Sequence, residues 1–214
     1  MKDIRKLICA GFGGQGVVLL GEMIGFTGVL EGRNYGGHPS YGPEMRQGTC
    51  NYKVVLSEKN PSKPKISSIL PANQDDLDLL IAFTIPSMNK FLSLKHDKSL
   101  ESGKFKAPKL RPGGLCFYNT HAIATKDLPE RNDINLYGIP VTDPTVFGKH
   151  AKQANMIMFG AVIEGTKNYD FIKLETVIEK TLPSFLKDEK ANYIPANIEA
   201  INLGAEYFKK NYGK

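Results

Sequence analysis

Residues 4–30, "IRKLICAGFGGQGVVLLGEMIGFTGVL", put a short apolar run, a glycine cluster and a longer apolar run in immediate succession. The first run has strand length and ends at glycine. The second keeps apolar side chains at Val17, Leu20, Ile24 and Val29, the spacing of a helix with one partly buried face. A strand that turns straight into a helix through glycines predicts the opening unit of an α/β fold. Gly11, Gly13 and Gly16 fit G-x-G-x-x-G at that turn, where backbone amides and a helix N-terminus can face a phosphate. Gly11, Gly13, Gly14, Gln15 and Gly16 are therefore the candidate cofactor-binding residues. A NAD or FAD site of this type also wants an acid at the end of the second strand, about 20 residues on. Glu31 stands at that distance, but it follows helix and precedes "GRNYGG". The alternative is that the glycines only permit a tight turn against neighbouring backbone.

The rest of the chain continues the alternation. Residues 31–48 read as an irregular loop. Residues 49–57, "TCNYKVVLS", alternate with Cys50, Tyr52 and Val54 on one face and predict a strand. Residues 58–74 are polar and punctuated by proline. "LDLLIAF" (77–83) is a compact apolar run suited to a parallel sheet, and "PSMNKFLSL" after it opens like a helix. "GLCFYN" and "INLYGIPV" are further strands. "TDPTVFGKHA", "NMIMFGAVIEG", "FIKLETVIEKTL" and "PANIEAINLGAEYFKKN" read as helices. Asn155 and Asn197, near the starts of two of these, are read as helix caps. The expectation is a single domain over residues 1–214. It is a three-layer, Rossmann-like α/β fold with a mostly parallel sheet and C-terminal helices. A lysine-rich insertion is placed around residues 95–112, where "KHDKSLESGKFKAPKLR" carries six Lys or Arg against two acids.

Composition excludes several function classes. The net charge of +6 is spread along the chain, with no RNP motif, zinc finger or basic arm, which argues against nucleic acid. No apolar stretch has the ~20 residues that span a bilayer, and no cleavage pattern marks a signal peptide. Cys9, Cys50 and Cys116 lie apart in apolar surroundings without CxxC. They read as buried thiols in a reducing cytoplasm rather than cluster or zinc ligands. His38 and His121 lie in loop-like contexts with no nucleophile to serve.

One stretch within the 31–48 loop is unlike a surface loop. "SYGPEMRQGT" (40–49) sets Tyr41, Glu44 and Arg46 among two glycines and a proline. An arginine there can fork onto a carboxylate or a phosphate. Taken in order, "GFGGQGVVLLGEMIG", "PSYGPEMRQGT", "NMIMFGAVIEG" and "NIEAINLGAEY" resemble the gamma subunit of the 2-oxoacid:ferredoxin (acceptor) oxidoreductases. That family comprises the pyruvate, 2-oxoglutarate, branched-chain 2-oxoacid and indolepyruvate enzymes. The resemblance covers nearly the whole chain and is weakest over residues 58–112. The family usually has two glycines after the arginine; here the pair is Gln47-Gly48.

The resemblance implies a complex that oxidatively decarboxylates a 2-oxoacid on thiamine diphosphate, passes electrons through iron–sulfur clusters and transfers the acyl group to coenzyme A. It implies alpha and beta subunits and a ferredoxin-like delta subunit or ferredoxin as partners, with a homodimer contact also open. Thiamine diphosphate, magnesium and the clusters would sit in partner subunits, leaving the isolated chain inactive. This chain has no G-D-G motif and no clustered cysteines. Tyr41, Gly42, Glu44, Arg46 and Thr49 are then an active-site-proximal or interface loop. The alternative is an internal clamp in which Arg46 and Glu44 only hold the loop to its own domain. No cofactor is expected to be held tightly by this chain. Coenzyme A, rather than NAD, is the ligand that suits the glycine turn, with Arg33 or Arg46 meeting its 3′-phosphate, and the alternative is that the turn packs on a partner subunit and takes no ligand. A free-standing NAD or FAD oxidoreductase is the competing reading.

Overall fold

Apolar residues on both sides of a strand demand cover on both sides of its sheet. In the computed structural model, which describes residues 4–42, 48–62, 77–92, 109–186 and 188–213, β1 (Lys6–Phe12) meets that demand at the centre of the molecule. Leu7 and Cys9 enter one core, Ile8 and Ala10 the other, and all four are buried. The same division holds in β4 (Leu77–Ala82), where Leu79 and Ile81 oppose Leu80 and Ala82.

The six-stranded sheet runs β2-β3-β1-β4-β5-β6, with β2 at Arg33–Tyr41, β3 at Thr49–Lys59, β5 at Leu110–Asn119 and β6 at Asn135–Ile139. β1, β4, β5 and β6 pair in parallel; β3 pairs antiparallel with both β1 and β2. Only β3 therefore runs against the other strands. The first core gathers α1 (Val17–Leu30), Phe147 of the short α3 (Pro144–Phe147), α4 (Ala154–Gly165) and α7 (Ile194–Tyr212) over one face. It also takes in the helical run formed by α5 (Leu174–Thr176), a π turn (Val177–Thr181) and α6 (Leu182–Phe185). The second core packs α2 (Ile85–Leu92) on the opposite face through Met88, Phe91 and Leu92. The layers are thus helix, sheet, helix.

Several sequence expectations are corrected. Residues 33–41 are a strand, not a loop. As an edge strand, β2 needs only one ladder, so it tolerates Gly36, Gly37 and Pro39. α1 reaches this hairpin because Gly21 and Gly25 admit the rings of Tyr52 and Tyr35 against the helix backbone. Val29 does not share the buried face of Val17, Leu20 and Ile24 but is 47% exposed. Neither Asn155 nor Asn197 caps its helix. The cap positions are Gln153 and Tyr193, without side-chain hydrogen bonds, so both asparagines lie inside the first turns. Most of the lysine-rich insertion, residues 95–108, lies outside the described residues; Leu110 and Arg111 at its end belong to β5.

Candidate functional site

The connection leaving β1 through α1 returns to one side of the sheet, at β2. The connection leaving β4 through α2 goes to the other side, at β5. Adjacent parallel strands whose connections diverge define a crevice outside their C-terminal ends, where open α/β sheets take ligands. The glycine turn closes this end of β1. Gly11 is still in the strand, and its Cα leaves no room for a side chain among Gln15, Val17 and Phe83. Gln15 folds back so that its Oε1 accepts the Phe12 N–H at 2.7 Å. Gly14 and Gly16 take φ values of 93° and 71°, the left-handed region in which glycine is least strained.

Gly16 is the cap residue of α1 and supplies no side chain to it, and the first turn carries no acid. The amides of Val17, Val18 and Leu19 precede the first intrahelical bond, Leu20 N–H to Gly16 O at 2.9 Å. The positive end of the helix dipole therefore opens on the crevice. Among the described residues, a side chain at Gly14 would meet no atom within 4 Å, whereas one at Gly16 would strike the side-chain amide of Asn155. The start of α4 is thereby set against the glycine turn.

The second motif comes to the same edge. Tyr41 pairs with Cys50, which pairs with Gly11; Thr49 pairs with Phe12. Gly13 N–H donates to Gly48 O at 3.0 Å, and Gly42 N–H to Thr49 O at 2.7 Å. Tyr41 is 67% exposed at the end of the outer strand β2, with β3 between it and the turn. Glu44 and Arg46 lie outside the described residues. The ends of the neighbouring strands add polar groups that sequence reading missed. Thr84 and Ser87 share a 2.7 Å hydroxyl hydrogen bond after β4, and Asn119 donates to Thr142 at 3.0 Å across the ends of β5 and β6. The signal for Thr84 and Asn119 was positional: Thr84 follows one apolar strand run directly and Asn119 closes another.

Other candidates fall away from the crevice. Glu31 terminates α1, accepts the Lys173 N–H at 2.7 Å and lies 3.6 Å from Lys59. It is not a ribose acid. Arg33 pairs with Lys59 at the N-terminal end of the sheet, so the strand carries it away from the glycine turn. Its buried guanidinium meets Asp170 at 2.7 Å and donates to Ser57 O and Asp170 O. It cannot serve a phosphate at that turn. His38 is exposed on β2, and His121 is half exposed, 3.9 Å from Asp143. The Asp143 carboxylate is committed to the hydroxyl and amide of Thr145, which hold it below the usual carboxylate range. Burial pushes the thiols of Cys9, Cys50 and Cys116 upward, which keeps them protonated. Among the described residues no group of three His, Cys, Asp or Glu is placed to hold a metal, and no helix is long and apolar enough to cross a membrane.

Residues 6–207 match the family model for pyruvate ferredoxin/flavodoxin oxidoreductase, and the chain belongs to that family. It is 29% identical over 211 residues to the ketoisovalerate oxidoreductase subunit VorA of Methanothermobacter marburgensis, covering 98% of this chain but only 37% of that protein. It is 27% identical to the 2-oxoglutarate synthase subunit KorC of Methanocaldococcus jannaschii, covering 98% of this chain and 97% of that one. In structure it superposes on the 2-oxoglutarate:ferredoxin oxidoreductase of Magnetococcus marinus, solved with 2-oxoglutarate, coenzyme A and succinyl-CoA bound. The TM-score is 0.70 at 19% identity, over 100% of this chain and 32% of that chain. This likeness establishes the α/β fold.

Proposed function

We propose that the chain is the gamma-type component of a thiamine diphosphate-dependent 2-oxoacid:ferredoxin oxidoreductase and acts as one domain over residues 1–214. The complex cleaves the bond between the oxo carbon and the carboxylate, releases carbon dioxide, passes two electrons to ferredoxin and transfers the acyl group to coenzyme A. The diphosphate, its magnesium and the iron–sulfur clusters fit partner subunits of alpha, beta and delta type. The three cysteines here are buried singly and no metal-binding group is assembled among the described residues. A cytoplasmic location goes with this reading.

The chain's own part is assembly and coenzyme A docking. The observation that carries it is the convergence of the glycine turn and the ends of the 40–49 stretch on one crevice, held by the Gly13–Gly48 hydrogen bond. The amides opening α1 suit a phosphate. Lys149 and Lys152 are exposed just before Asn155 and replace Arg33 as candidate cations. Tyr41, exposed at the end of the outer strand β2, suits contact with a neighbouring subunit. A free NAD or FAD enzyme is disfavoured because Glu31 is spent on Lys173 and Lys59.

The test is Gly14→Asn in the assembled complex. Asparagine accepts positive φ better than most residues, and no described residue opposes it there. With assembly verified, the Michaelis constant for coenzyme A should rise several-fold while coenzyme A-independent oxidation of the 2-oxoacid is retained. An unchanged constant with normal turnover would make the turn purely structural.

A further inference from the structure

β6 is the outer strand of the sheet beyond β5. Thr120 N–H donates to Ile139 O at 3.1 Å, on the β5 side. Backbone direction alternates along a strand, so the main-chain groups of Leu136 and Gly138 face outward. Outward groups on an edge strand are a template for another strand. Here Gly138 is already taken. The Tyr212 hydroxyl accepts its N–H and donates to its C=O, both at 3.0 Å. One side-chain hydroxyl thus occupies the donor and the acceptor that an incoming backbone would use.

The plug is well seated. The Tyr212 ring lies edge-on to Tyr137, centroids 5.3 Å apart, and against Phe208 at 5.1 Å. Pro140, the next outward position, has no N–H to offer. Of the outward positions at 136, 138 and 140, Leu136 is the one whose N–H and C=O meet no partner among the described residues.

We propose that the last turn of α7 is a plug on the β6 edge, with Tyr212 closing it against strand addition by a second copy of this chain. In the full chain, Tyr212→Phe keeps the ring and removes the hydroxyl. Amide exchange at Gly138 should accelerate at least tenfold, and light scattering should show concentration-dependent association beyond that of the unmodified protein. Adding Leu136→Pro removes the remaining outward donor without touching the β5 ladder and should abolish the gained association. Unchanged Gly138 exchange, no gain in association, or association that survives the second substitution would each overturn the proposal.

Discussion

At the residue scale, the glycine turn rests on a few atoms whose removal can be weighed. Gln15→Ala deletes the acceptor of the Phe12 N–H and should lower stability by about 1 kcal/mol, the usual worth of such a bond. Gly16→Ala combines a side chain at φ 71° with a collision against Asn155. It should cost about 2–3 kcal/mol, read from denaturant midpoints at constant slope. A smaller loss for Gly16→Ala than for Gln15→Ala would contradict this geometry. The turn itself was legible, because spacing and the flanking apolar runs mark it. The role of Asn155 was not. A 3-10 segment, Gly148–Gln153, leads straight into α4 and moves the cap upstream, so the asparagine turns toward Gly16 instead. Arg33 was misjudged for a related reason: sequence gives no sign of which end of a strand a residue will occupy until the strand itself is recognised.

At the element scale, α1 shows how a packing demand overrides propensity. Alanine is the better helix former by about 1 kcal/mol, yet a methyl at Gly25 would enter the Tyr35 ring. Gly25→Ala should therefore destabilise by about 1–2 kcal/mol net, and pairing it with Tyr35→Ala should recover part of the loss in a double-mutant cycle. Additive effects would show that the ring and the glycine do not meet. The helices and the buried strands were legible from period and apolar runs. β2 was not, since Gly36, Gly37 and Pro39 carry turn chemistry and the strand is held by the hairpin with β3 and by α1 rather than by its own pattern.

At the scale of the whole molecule, charge joins the N-terminal end of the sheet to the C-terminal helices. Burial draws the Asp170 carboxyl upward, but the hydrogen bond from Lys59 and the charge of Arg33 outweigh it and hold the group below its ordinary 3.8. A depressed carboxylate stabilises the fold above that ordinary value and loses its contribution as pH falls through the folded one. Asp170→Asn should therefore lower the melting temperature at pH 7, and the two curves should draw together below about pH 4; curves that stay parallel would dismiss the link. The strand order has a further consequence, for the sequence of events in folding. β1 precedes the other five described strands along the chain, yet it lies between β3 and β4, so its ladders wait for segments made later. β2 and β3 are neighbours in sequence and need only a short closure. Pulse-labelled exchange during refolding should find the amides between β2 and β3 protected before those between β1 and β4. One of the two central strands of the native sheet would then be among the last to be secured.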